Sequence, residues 1–139
     1  MKTLFLLLII GCAGVLGCEK NTIEIPGPVN PADSLGKIKY RGMFTNGPFG
    51  ATNGIVEIYE ASGKYALVLD SFMVSDGPDL HVYLSEEMQP LTFIDLGKLR
   101  ATSGRQVYSI NGMPNFMAFK YALIHCQQYN HLFGSAGLK

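Results

Sequence analysis

Gly54-Ile55-Val56-Glu57-Ile58-Tyr59-Glu60, then Ala61-Ser62-Gly63-Lys64, then Tyr65-Ala66-Leu67-Val68-Leu69-Asp70-Ser71-Phe72: this stretch decides the fold. Its two apolar runs are rich in β-branched and aromatic residues, which suit a pleated, half-buried surface. A short Gly-containing turn between two such runs predicts a β-hairpin. Working outward, Asp76-Gly77-Pro78-Asp79 is a turn, with Gly and Pro as breakers and Asp able to bond its own backbone. Leu80-His81-Val82-Tyr83-Leu84-Ser85 alternates, with Leu80, Val82 and Leu84 on one face, so His81 is expected on the other face, toward solvent. Residues 91–95, 105–110, 119–126 and 131–136 read as further strands. No stretch beyond the first 17 residues holds a period of 3.6. Short strands at intervals of about eight to twelve residues predict an all-β fold, a single antiparallel β-sandwich or barrel-like domain over residues 37–139.

Upstream of that domain the chemistry changes. Residues 1–17 read as a lipoprotein signal peptide: Lys2 supplies the positive end, Leu4 to Ile10 the apolar stretch, and small residues follow. The apolar stretch is shorter than the roughly 20 residues a bilayer-spanning helix needs. Val15-Leu16-Gly17-Cys18 resembles a lipobox, which makes Cys18 the expected lipid-attachment site; Cys12, in Ile9-Ile10-Gly11-Cys12, is the weaker rival. Residues 19–36 hold three Pro, two Gly and small polar residues, the composition of an extended tether. The expected location is the cell envelope, with the domain lipid-anchored to a membrane on its periplasmic or outer side.

Charge and cysteine usage narrow the function. Apolar residues make up 47 % of the chain, and charged residues 16 %, with 11 basic and 11 acidic. No basic surplus is available for nucleic acid, and no polybasic run follows the anchor. Of three cysteines, Cys12 leaves with the leader and Cys18 becomes a thioether, so Cys126 is the one thiol expected in the mature chain. A lone thiol in an oxidising compartment is either buried and inert or useful for its reactivity.

Three segments then take on meaning together. They are Ser75-Asp76-Gly77-Pro78-Asp79-Leu80-His81-Val82-Tyr83-Leu84-Ser85; Asp95-Leu96-Gly97-Lys98-Leu99 with Ser103-Gly104-Arg105-Gln106-Val107-Tyr108; and Ile124-His125-Cys126 with Phe133-Gly134-Ser135-Ala136. In order and spacing they resemble the electron transfer DM-thirteen domain, a module found beside DOMON domains in Skeletor-like animal proteins and alone in many bacterial lipoproteins. The resemblance covers roughly residues 37–138. It implies a β-sandwich-like fold and a proposed redox role centred on a cysteine, which falls on Cys126. Tyr129 stands where the resemblance leads one to expect Phe.

The residues themselves give Cys126 two readings. Strand alternation places it with Ala122 and Ile124 on a core-like face, where a free cysteine behaves as a small hydrophobe. The resemblance supports a redox-active thiol, and His125, adjacent in sequence, points to the opposite face. His81, Cys126 and His131 could form a copper set of two imidazoles and a thiolate, but no Met follows His131 as axial ligand. Neither copper nor haem is established by these residues. Asp70, Asp76 and Asp79 match no calcium-loop spacing and read better as turn-capping carboxylates. The six Met and fifteen aromatics read as core packing. No CxxC pair, GxSxG elbow, phosphate-binding Gly loop or HExxH is present, so no hydrolase, transferase or dinucleotide chemistry is supported. Two functions follow as expectations. One is a membrane-tethered redox or electron-transfer accessory module acting through Cys126 on an envelope redox partner. The other is a surface binding or adhesion module, with Asp76, Asp79, His81 and His131 as contact candidates.

Overall fold

The computed structural model describes residues 35–139. The expected signal peptide, Cys12, Cys18 and all but the end of the expected tether lie outside the described residues. Within them the chain folds as nine strands and no helix: β1 (Lys37–Met43), β2 (Thr45–Asn46), β3 (Thr52–Ala61), β4 (Lys64–Val74), β5 (Leu80–Ser85), β6 (Phe93–Lys98), β7 (Gln106–Ile110), β8 (Tyr121–Cys126) and β9 (His131–Gly137).

The hairpin forms where the sequence places it. β3 and β4 pair antiparallel from Thr52↔Val74 to Ala61↔Lys64. The turn is Ser62-Gly63, both at positive φ (51° and 75°). That is the two-residue turn whose twist matches its flanking strands. Around this hairpin a four-stranded sheet assembles in the order β1-β3-β4-β7, and a second sheet follows as β2-β9-β8-β5-β6. All pairings between named strands are antiparallel. Of the two expected architectures, the sandwich is the one formed.

Alternation along the strands fills the space between the sheets. Val56 and Ile58 of β3, and Leu67, Leu69 and Phe72 of β4, meet Leu80, Val82 and Leu84 of β5, and Ala122, Ile124 and Cys126 of β8. Phe44 and Phe72 contact edge-on at 5.5 Å. Burying a Val, Leu or Phe side chain in this way contributes about 1.5–3 kcal/mol each. The same sheet's outer side carries buried Glu57, which accepts a hydrogen bond from the Tyr59 hydroxyl at 2.9 Å and pairs with Arg41 at 3.3 Å.

Two expectations fail. β6 runs from Phe93 to Lys98, later than residues 91–95, because Gly97 is held at φ 112° inside the strand rather than ending it. The five methionines among the described residues do not pack in the core: Met43, Met73, Met88, Met113 and Met117 are 51–82 % exposed.

Candidate functional site

β5 and β8 are neighbours in the five-stranded sheet, and their register fixes what each face carries. Leu80 pairs with Cys126, His81 with His125, Val82 with Ile124 and Tyr83 with Leu123. Side chains alternate across a sheet, so Leu80, Val82, Ile124 and Cys126 point into the core. His81, Tyr83, Leu123 and His125 point away from it.

Cys126 ends β8. It is fully buried and is the one free cysteine among the described residues. The Ser75–Asp79 segment covers this end of the sheet, and the backbone N–H of Gln127 donates to the Asp79 carbonyl at 3.0 Å. Gly77 makes this close cover feasible. A Cβ there would lie 2.8 Å from Leu80 Cδ2 and 2.9 Å from the Phe133 ring. Cys126 therefore packs as the sequence alternation predicts, with Ala122 and Ile124, and His125 faces away from it.

The outer face corrects the expectation for His81. It does lie opposite Leu80 and Val82, yet all six residues of β5 are buried. An Nδ1–H on His81 donates to both Asp95 carboxylate oxygens, at 2.9 and 3.1 Å. Its Nε2 reaches Asp79 Oδ1 only at 3.4 Å and forms no directed hydrogen bond. Phe93 stacks on Tyr83 with centroids 4.3 Å apart, and the Gln127 amide donates to the Tyr83 hydroxyl at 3.3 Å. Burial pushes the Tyr83 phenol pKa up.

His125 lies on the other side of Tyr83, stacked at 5.3 Å. It is 2 % exposed, and neither ring nitrogen has a partner. Burial, then the nearby charge of His131, holds its pKa below the ordinary histidine value. Imidazole can be neutral in such a place; imidazolium would be an unpaired buried charge.

The remaining candidates separate. His131 pairs with Cys126 across β8 and β9, and its ring stacks flat on Phe49 at 3.6 Å. His81 and Cys126 project from opposite faces, so the copper set of His81, Cys126 and His131 is not brought together. Among the described residues no group of three or more His, Cys, Asp or Glu side chains is disposed to hold a metal. Asp70 and Asp76 each accept from the next backbone N–H, at 2.8 and 3.0 Å, as capping carboxylates do. Asp79 instead contacts Lys98 at 3.3 Å, and that bond holds its pKa below the usual carboxylate range. Asp76 and Asp79 line an open cleft of about 220 Å³ with Lys98 and Arg100.

Sequence reasoning missed the contribution of Tyr83, Asp95 and Gln127. The signal was present in part: Tyr83 sits at the parity expected for a polar, exposed residue, and a large aromatic there calls for a cover.

The fold and site define a small β-sandwich in which the one free thiol among the described residues is buried at the end of β8, with a buried histidine pair on the opposite face of the same two strands. The chain belongs to the family described as Electron transfer DM13, whose model matches residues 43–138. No curated protein and no solved structure matches the chain.

Proposed function

We propose that this chain is a membrane-tethered, extracytoplasmic redox module in which Cys126 is a covered thiol, presented to an envelope redox protein when the Ser75–Asp79 segment lifts. Family membership supports the redox class. The observation that carries the mechanism is the position of Cys126: it closes a strand, and the neighbouring Ser75–Asp79 segment, held to Gln127 through Asp79 and to Ala51 through Ser75, belongs to no strand. A thiol deeper in β8 would need global unfolding to react. At the strand end, parting the Gln127–Asp79 contact is the first step of a local opening. Once open, the Cys126 thiolate would attack a partner disulfide. The new sulfur–sulfur bond would form as the partner's second sulfur leaves as thiolate.

The tether belongs to the same proposal. Acylation at Cys18 would hold the domain at the membrane, and Cys18→Ser would release it to the soluble fraction.

Alkylation of Cys126 by a maleimide tests the mechanism. The native thiol should react more than tenfold slower than the unfolded one. Gly77→Ala, whose added methyl would crowd the Leu80 and Phe133 side chains, should accelerate the native reaction severalfold. Equal rates in the two proteins would remove the loop from the mechanism.

The complete burial of Cys126 favours a second reading, a surface binding module. Its contact surface would be the open cleft at Asp76, Asp79 and Lys98. Cys126→Ser separates the two, since binding at the cleft would survive it and disulfide exchange would not.

A further inference from the structure

Sulfur is partitioned across this domain. Cys126 is fully buried, while Met43, Met73, Met88, Met113 and Met117 are 74 %, 60 %, 51 %, 75 % and 82 % exposed. Methionine ranks among the residues most often buried, and its flexible thioether is a common filler of core gaps. Here the core is completed by Val, Leu, Ile, Phe, Tyr and Ala, with no methionine in it.

The five exposed thioethers do not all fall on one face or end of the domain. Met43 and Met73 lie two strands apart at one end of the four-stranded sheet, whereas Met88 is in the β5–β6 connection, and Met113 and Met117 are in the β7–β8 connection beyond the other end of that sheet. A docking surface would gather them; a chemical role that each performs alone would not. One of them, Met88, has its sulfur 3.7 Å from a donor, the Ser135 hydroxyl.

From this distribution we infer that the surface methionines are modification sites, a set of sacrificial thioethers that consume two-electron oxidants of the hypohalous acid class before the rest of the domain is damaged. With hypochlorous acid, the sulfur lone pair takes the chlorine and hydroxide leaves. Water then displaces chloride from sulfur. The net products are one sulfoxide, one chloride and one proton, with sulfur oxidised by two electrons and chlorine reduced by two. The placement makes the product harmless. A sulfoxide in the core would bury an unsatisfied polar group, whereas on these exposed positions it is solvated. Two thiols from a reductant would reverse the step, yielding thioether, disulfide and water. This inference does not depend on the thiol mechanism proposed for Cys126.

Graded hypochlorous acid, added to the full chain and followed by peptide mass mapping and near-ultraviolet circular dichroism, tests it. Within residues 35–139 the first products should be sulfoxides at Met43, Met73, Met88, Met113 and Met117, with the native spectrum retained. Chlorination of exposed Tyr129 and oxidation of Cys126 should begin only afterwards. In a variant with all five replaced by Leu, Tyr129 chlorination should begin at a lower dose than in the unmutated chain. If that variant does not fold, the order of modification in the unmutated chain decides alone. Tyr129 or Cys126 reacting while the thioethers remain, or loss of the native spectrum before the fifth sulfoxide, would overturn the inference.

Discussion

The two faces of the β5–β8 pair differ in what buries them. The inner face is an apolar layer: Leu80, Val82, Leu84, Ala122, Ile124 and Cys126 pack against the opposite sheet. The outer face is just as closed but polar. His81 is tied to Asp95, Tyr83 lies between Phe93 and His125, and Gln127 reaches over the Tyr83 hydroxyl. Hydrophobic burial stabilises the first. The second costs free energy wherever a polar atom lacks a partner, as both nitrogens of His125 do. One pair of strands thus carries the rigid centre of the domain on one side and a condition-sensitive surface on the other.

Truncating the inner face should give the largest effect. Ile124→Ala removes a fully buried side chain and should cost about 3 kcal/mol in urea unfolding, within the range of core aliphatic truncations. A loss under about 1 kcal/mol would mean that the two sheets do not pack as described.

A smaller effect, with a pH signature, should come from the outer face. His125 has a lowered pKa in the folded chain because burial disfavours its charged form. The unfolded chain therefore binds this proton at higher pH than the folded one does. Stability is at its full value above about pH 6.5, the unfolded histidine value, and falls as pH drops from there to the depressed folded value. His125→Leu should flatten that dependence and leave the domain about 1 kcal/mol more stable than the parent at pH 5. An unchanged pH profile in the variant would place the sensitivity elsewhere.

The smallest effect should be at the methionines. Met113→Leu and Met117→Leu should each change stability by less than about 0.5 kcal/mol, as for surface sites without special contacts. A larger loss would mean that these thioethers pack against something.

Inner-face residues were legible in the sequence because a period of two sorts them without further information. The hairpin from Gly54 to Phe72, the Leu80-Val82-Leu84 stripe and the alliance of Cys126 with Ala122 and Ile124 all follow from that rule. The outer face was not legible, because alternation says which residues share a face and nothing of what covers it. His81 was read as solvent-facing; in the fold its ring is buried and meets Asp95 of β6 and Asp79, and Phe93 and Gln127 close over its neighbour Tyr83, contacts that no local pattern encodes. The Ser75–Asp79 segment was legible as a turn, but its closeness to the sheet was not, since that depends on Phe133 and Leu80 meeting Gly77. Methionine misled for a related reason: its apolar character predicts the core, and only the completed packing shows that the core has no place for it.

The central claim is that Cys126 is reached by a local opening at the end of β8. Its alkylation rate in the native chain, followed across low urea concentrations, tests this most directly. Opening of the Ser75–Asp79 segment exposes little surface, so the rate should be nearly independent of urea below the unfolding transition and faster than global unfolding allows. A rate that rises with urea on the same slope as global unfolding would contradict the claim, and Cys126 would then be a residue of the core and nothing more.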